Sequence, residues 1–272
     1  MLYSPILSCL RVLPFLVWTV ICAFLQSFYH FLLRRNFFIF YKIFFKGLVK
    51  IFGIKVNIKG KQSKKNVLFV SNHTSYLDIF VLGSNVDGLF VAKSEIDSWP
   101  FINKICALGR TIFVNRNDIR KVKGQMNQIT NTLKSGYSVI LFPEGTSSDG
   151  SKVLPFKSSL LGVIEDNVSE EFYLQPISIS YSKLDGIPLE IKFRPFFAWF
   201  GNMDLVSHAW KFLGLGFSEV NVNFQEPKKF SHFKDRKHAA KYCHDKISSQ
   251  ISRDFQNLEV EKKVRLYEFM LL

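Results

Sequence analysis

The chain has 272 residues, 47% of them hydrophobic, and a formal net charge of +14. That length fits one large domain, or a domain with an anchor, and so basic a balance asks for an anionic partner. Nucleic acid fits poorly, because the chain shows no zinc-finger spacing, helix-turn-helix signal or aromatic RNA-binding signature. Cys9, Cys22, Cys106 and Cys243 are scattered, and His232, His238 and His244 do not share a helical face, so no disulfide framework and no metal site are expected.

The first element is apolar. From Val12 to Leu33 no residue carries a formal charge. As a helix that stretch is about 33 Å long, enough to cross a bilayer core of about 30 Å. Arg34 and Arg35 follow it, with only Arg11 and the amino terminus on the other side. The bias of basic residues therefore predicts a cytoplasmic or inner membrane location with the remaining chain facing the cytoplasm. Whether the segment spans the bilayer or lies in one leaflet stays open. A cleaved signal peptide fits less well, since no small-residue cleavage site follows.

Asn36 to Ile54 predicts a second helix. Its aromatic residues make a broad apolar face, and Lys42, Lys46 and Lys50 form one basic stripe. That pattern suits a helix in the interface of anionic lipid, with packing on the domain as the alternative. Residues 1–59 are thus read as a membrane-associated helical segment, and residues 60–272 as a separate domain.

Short apolar runs at Val67–Val70, Leu89–Ala92, Thr111–Val114 and Val139–Phe142 predict buried strands. Between the last two, Ile119, Val122, Met126, Ile129 and Leu133 step with helical period; Asp118 is placed to cap the start, and Gly136 stands just past the end. Further strands are expected at Leu174–Tyr181, Leu189–Phe193 and Val220–Phe224. A last amphipathic helix carries Ala240, Cys243, Ile247, Ile251, Phe255 and Leu258 on one side. The order predicts an α/β fold with a mixed, partly parallel sheet flanked by helices.

Chemistry concentrates at strand ends. Asn72-His73-Thr74-Ser75-Tyr76-Leu77-Asp78 follows the Val67 run. Histidine is suited to proton transfer near neutral pH. His73 and Asp78 are five apart and would not share a face of one helix. They meet only if the chain turns, and Ser75-x-x-Asp78 has the form of a helix start. There the helix dipole favours an ionised Asp78, able to orient His73 as a base. Taken alone, a capping aspartate and a loop histidine explain the same residues. Phe142-Pro143-Glu144-Gly145-Thr146-Ser147 also follows a strand, and its N–H groups and hydroxyls suit a phosphate. Arg116 ends the third strand, where a guanidinium is suited to forked phosphate binding, and Lys157 offers a second cation.

Four blocks in this order resemble the glycerolipid acyltransferase family, above all its bacterial 1-acyl-glycerol-3-phosphate acyltransferases. Asn72, His73 and Asp78 match the first block, Asn-His-x4-Asp. Gly109 to Arg116, with Phe113, matches the second loosely; Phe142 to Thr146 match the third without change; Gln175-Pro176-Ile177-Ser178 match the fourth. The resemblance implies that His73 deprotonates an acceptor hydroxyl, which attacks an acyl thioester, while Asp78 orients His73. It implies that Arg116, Glu144, Gly145 and Thr146 bind the glycerol phosphate; Lys157 is added for its charge alone. The co-substrate would be acyl-CoA or acyl-carrier protein, with no cofactor, and the surroundings membrane phospholipids. The expected acceptor is lysophosphatidic acid, giving phosphatidic acid. Phe196 to Leu205 is similar to segments of proteobacterial members that acylate other lysolipids, which keeps a lyso-ornithine lipid in view. A catalytically silent lipid-binding protein is the alternative of another class, and the absence of a Gly-x-Ser-x-Gly elbow argues against an esterase.

Overall fold

The computed structural model describes residues 3–32, 37–64, 66–94, 102–114, 119–167 and 170–270. Its strands are β1 (Ile54–Lys59), β2 (Val67–Ser71), β3 (Leu89–Lys93), β4 (Ile112–Val114), β5 (Val139–Leu141), β6 (Tyr173–Leu184), β7 (Ile187–Pro188), β8 (Ser218–Phe224) and β9 (Lys228–Lys229). Its helices are α1 (Pro5–Leu32), α2 (Phe37–Ile51), α3 (Leu77–Asn85), α4 (Ile102–Leu108), α5 (Ile119–Lys134), α6 (Leu205–Leu213) and α7 (Arg236–Met270).

One mixed sheet runs β1-β8-β6-β2-β5-β3-β4, with β7 and β9 also pairing β6. β6, β2, β5, β3 and β4 are mutually parallel, while β8 is antiparallel to β6 and parallel to β1. Val67, Leu68, Phe69 and Val70 of β2 are completely buried. An unbroken apolar run is what a parallel strand covered on both faces requires. Successive side chains point to opposite faces. Val67 and Phe69 join one core with α2 and α3, and Leu68 and Val70 join a second with α5 and α7.

The helix expected over 119–133 is α5, and Gly136 ends it with φ +82°; Asp118 lies outside the described residues. Three expectations change. The domain does not begin at residue 60, because β1 pairs with β8 along its whole length. Its alternation is half exposed, so it lacked the buried run that marked the other strands. Leu189–Phe193 is not a strand. Asp185 and Gly186 turn the chain at φ +51° and +77° into the short β7, the Leu189 N–H makes a last bond to the Ser182 carbonyl of β6, and the chain then enters a 3-10 segment over Ile191–Phe196.

The third change concerns α2, which packs on the domain and does not face lipid with its aromatic side. Tyr41, Phe45, Leu48 and Phe52 are buried in the core. Phe45 lies so close over Gly83 of α3 that a Cβ there would sit 2.4 Å from its ring, and Lys42 pairs with Asp87.

α1 is docked along its inner side. Ser8 Oγ donates to the Trp210 carbonyl at 2.9 Å, and Arg11 Nη1 donates to the Leu213 and Leu215 carbonyls at 3.1 and 2.6 Å. Further along, Trp18 Nε1 donates to the Phe44 carbonyl at 3.0 Å. Arg11 is therefore held against the domain by bonds that cap the end of α6, not set on the far side of a bilayer from it. Leu10, Leu13, Val17, Val20 and Phe24 form an exposed apolar stripe on the outer side. Arg34 and Arg35 lie outside the described residues.

Candidate active site

The site forms where β2 and β5, neighbours in the sheet, end side by side. Ligand sites of open α/β sheets lie at such carboxyl ends. β2 stops at Ser71, but Asn72 extends its ladder with a side chain. Its Nδ2 donates to the Ile179 carbonyl at 3.0 Å, and its Oδ1 accepts the Ile179 N–H at 2.9 Å. The amide thus makes the strand's next pair of bonds with β6 and frees the backbone to turn at His73. In the sequence this role is signalled only by an asparagine standing just past an apolar strand.

The turn brings His73 and Asp78 together, with Nδ1 3.0 Å from Asp78 Oδ2. Asp78 is completely buried, whereas the His73 side chain keeps 21% of its surface open. Oδ2 also accepts the Thr74 and Ser75 N–H groups at 2.7 and 2.9 Å, and Oδ1 accepts the Tyr181 hydroxyl at 2.8 Å. A carboxylate offers only acceptors. His73 Nδ1 therefore carries the hydrogen, and Nε2 keeps its lone pair. The helix start differs in detail from the expected box: Asp78 does reach back to the Ser75 N–H, but Ser75 Oγ meets only the Leu77 N–H, at 3.4 Å.

The Phe142–Thr146 loop braces this turn. Glu144 Oε1 accepts the His73 N–H at 2.8 Å, and Oε2 accepts the Leu154 N–H at 3.1 Å. The Ser148 N–H donates to the His73 carbonyl at 2.9 Å, so both backbone groups of His73 are held by one loop. Phe142 stacks on the imidazole with centroids 4.3 Å apart. Burial pushes the Glu144 carboxyl up to about 8, against the two N–H bonds that lower it. The expected contact of Glu144 with a phosphate is corrected here: Glu144 is 2% exposed and both its oxygens are engaged by backbone. Gly145, at φ +78°, lets the Lys157 stem cross the loop; a Cβ would lie 2.9 Å from Lys157 Nζ. Thr146 and Lys157 are exposed beside it. The Ser147 hydroxyl is not free for a phosphate, since it donates to the Trp199 carbonyl. Arg116 lies outside the described residues.

The fourth block is structural. Gln175, completely buried, accepts the Ser63 N–H and donates to the Lys61 and Gln225 carbonyls. It ties two connecting segments to β6. Phe197 stacks on Tyr181 and is 1% exposed, so part of the 196–205 segment is core. Asp204 caps α6 by accepting the Ser207 N–H at 2.7 Å.

An apolar groove opens between α1, α2 and the end of α4, lined by Cys22, Gln26, Phe40, Tyr41, Phe45 and Gly109 among others. Aromatic rings connect it to the site: Phe142 stacks on Phe90 at 6.1 Å, and Phe90 lies 6.5 Å from Tyr41 and 6.4 Å from Phe45.

A histidine paired with a buried carboxylate thus stands at the end of two strands of one α/β sheet, with an apolar groove nearby. A family model described as Acyltransferase matches residues 53–180. The lyso-ornithine lipid O-acyltransferase of Rhizobium meliloti (strain 1021) is 36% identical over 207 residues, 74% of this chain and 71% of that one. That of Brucella abortus (strain 2308) is 34% identical over 222 residues, 80% and 83% of the two chains. The 1-acyl-sn-glycerol-3-phosphate acyltransferase of Neisseria gonorrhoeae is 37% identical over 108 residues, 40% of this chain and 42% of its own. The chain therefore belongs to the acyltransferase family. Its fold is that of the 1-acyl-sn-glycerophosphate acyltransferase PlsC from Thermotoga maritima, with TM-score 0.67, 23% identity and coverage of 90% and 95% of the two chains.

Proposed function

We propose that this acyltransferase moves a fatty acyl chain from a thioester, acyl-CoA or acyl-carrier protein, to the free hydroxyl of a lyso-ornithine lipid. The observation that carries the chemistry is the His73–Asp78 pair at 3.0 Å, braced through the His73 backbone by Glu144. His73 Nε2 removes the proton of the acceptor hydroxyl as its oxygen attacks the thioester carbonyl. The C–O bond forms, the C–S bond breaks, and the proton passes from the imidazolium to the departing thiolate. No covalent acyl-enzyme is needed. The thioester supplies the driving force, so orientation and deprotonation are the tasks left to the protein. Thr146 and Lys157 are exposed beside the pair and serve to hold the polar head of the acceptor; Arg116 is assigned the same task from the sequence resemblance.

The extent of similarity supports this choice of acceptor. The lyso-ornithine lipid enzymes match over more than 200 residues, well beyond the span from Val67 to Tyr181 that carries the blocks. Lysophosphatidic acid is the second reading, favoured by the unchanged Phe142–Thr146 block and by the Neisseria relative. The exposed stripe of α1 supports seating in one leaflet of a membrane, proposed to be the cytoplasmic one, since α1 is bonded to the domain and lies along it. The groove between α1 and α2 then opens at lipid depth and receives an acyl chain.

The test is transfer by the purified full-length chain in vesicles, with both lysolipids offered against both thioester donors. Transfer to lyso-ornithine lipid that is abolished in His73→Ala is expected. Transfer to lysophosphatidic acid alone moves the assignment to the second reading, and transfer that survives His73→Ala overturns the mechanism.

A further inference from the structure

β6 is longer than its neighbour. The β2 ladder ends at Ser71 opposite Ile177, whereas β6 continues to Leu184. Four residues past Ile177, about 13 Å along the strand, stands Tyr181, beneath the first turn of α3. Its hydroxyl donates to Asp78 Oδ1 at 2.8 Å. The other donors to Asp78 — His73 Nδ1 and the Thr74 and Ser75 N–H groups — all fall on Oδ2. Asp78 is completely buried, and among the described residues Tyr181 is the one that donates to its Oδ1.

We infer that Tyr181 is a positioning residue of this site: its hydroxyl occupies the one oxygen of Asp78 that the loop leaves open and thereby sets how readily the His73–Asp78 pair takes up a proton. The inference rests on the proposed role of His73 as base. A hydrogen bond to a charged acceptor favours the charged form. Withdrawing it raises the proton affinity of the pair as a unit, wherever in the pair the proton resides. The pair would then hold a proton at pH values where the base must be free. The same bond fixes the rotation of the carboxylate, and so the direction in which Nε2 faces.

The surroundings suit this task. The Tyr181 ring is stacked on Phe197 at 5.3 Å, which holds the hydroxyl in place. Burial, and then the Asp78 charge, keep the phenol well above its ordinary range, so it remains a neutral donor. The other titratable groups nearby come from separate elements. Glu144 faces Asp78 from the loop after β5, Tyr76 lies beside Tyr181 from the start of α3, and Lys152 and Arg194 border the same small cleft as Tyr181. None of them donates to Asp78 Oδ1.

The experiment compares kcat and KM across pH for the full-length wild type, Tyr181→Phe and His73→Ala in vesicles, read as the ratio of variant to wild type. That ratio cancels ionisations common to both proteins, including those of the lysolipid. In Tyr181→Phe the acid limb of kcat is expected to move up by about one pH unit. The rate then falls roughly tenfold on that limb, while the high-pH plateau and the KM for the acceptor change little. Placing 3-fluorotyrosine at 181, a stronger donor of nearly the same shape, should move the limb the other way. This second variant decides the question if Tyr181→Phe does not fold. A loss of rate with the limb unmoved in both variants overturns the inference and leaves Tyr181 a packing residue. Transfer persisting in His73→Ala instead overturns the base assignment, so the two failures are distinct.

Discussion

Glu144→Gln separates a bracing role for this residue from a substrate-binding one. The Glu144 carboxyl ordinarily titrates at 4.5, and burial raises it to about 8 in the folded protein. The native state thus holds this proton at pH values where the unfolded chain has lost it. Stability from this group is complete below the lower value and is lost as pH rises through the upper one. Integrating that linkage from about pH 5 to about pH 8 gives a loss of about 3–4 kcal/mol. Glutamine has no such dependence. Its NH2 must face either the His73 or the Leu154 N–H, which costs about 1–3 kcal/mol at every pH. The variant should therefore be less stable than wild type at the acid end, with the gap closing or inverting at the alkaline end. Urea unfolding of the detergent-solubilised chain, followed by tryptophan fluorescence across that range, measures both slopes. Parallel slopes would refute the reasoning, since they require Glu144 to be solvated or ionised throughout. Activity supplies an independent reading: where the NH2 faces the His73 N–H, that backbone is released and kcat should fall roughly tenfold even with the fold intact.

Asp78→Asn leaves an amide where four donors converge and withdraws the acceptor that orients His73. A drop in kcat of roughly 10³–10⁴-fold is expected by analogy with other histidine–carboxylate pairs, read as initial rates beside a thermal melt. Gly145→Ala keeps a φ of +78° that favours glycine and pushes a Cβ against Lys157. It should cost about 1–2 kcal/mol of stability and raise the KM for the acceptor, with little change in the donor KM. Val20→Glu with Phe24→Glu breaks the exposed stripe of α1 and should weaken vesicle binding by at least roughly tenfold per residue, measured by flotation, while leaving the melting midpoint in detergent unchanged.

Much of the site was legible because its residues follow apolar runs. Val67–Val70 and Val139–Phe142 are the most buried strands of the sheet, so their ends were visible as the places where hydrophobicity stops. His73 and Glu144 stand there. What each one touches was not legible. Glu144 was assigned to the glycerol phosphate by the family resemblance, not by any local signal of its own. Only the approach of two backbone N–H groups shows it turned inward. Asn72 and Tyr181 carried no local signal of their tasks, since both act across the sheet on partners more than a hundred residues away. The lysines of α2 marked one polar face correctly, but an apolar face suits lipid and a core equally.

From its sequence alone this chain declares an apolar amino-terminal helix, an α/β order and a histidine and aspartate set five apart at a strand end. Those follow from periodicity and from the helix-start pattern, which are local properties. The tertiary structure decides the rest: α1 lies along the domain and α2 within its core, and Asp78 receives its fourth donor from β6. Burial and hydrogen bonding between distant segments depend on which surfaces meet, and no window of sequence contains both partners.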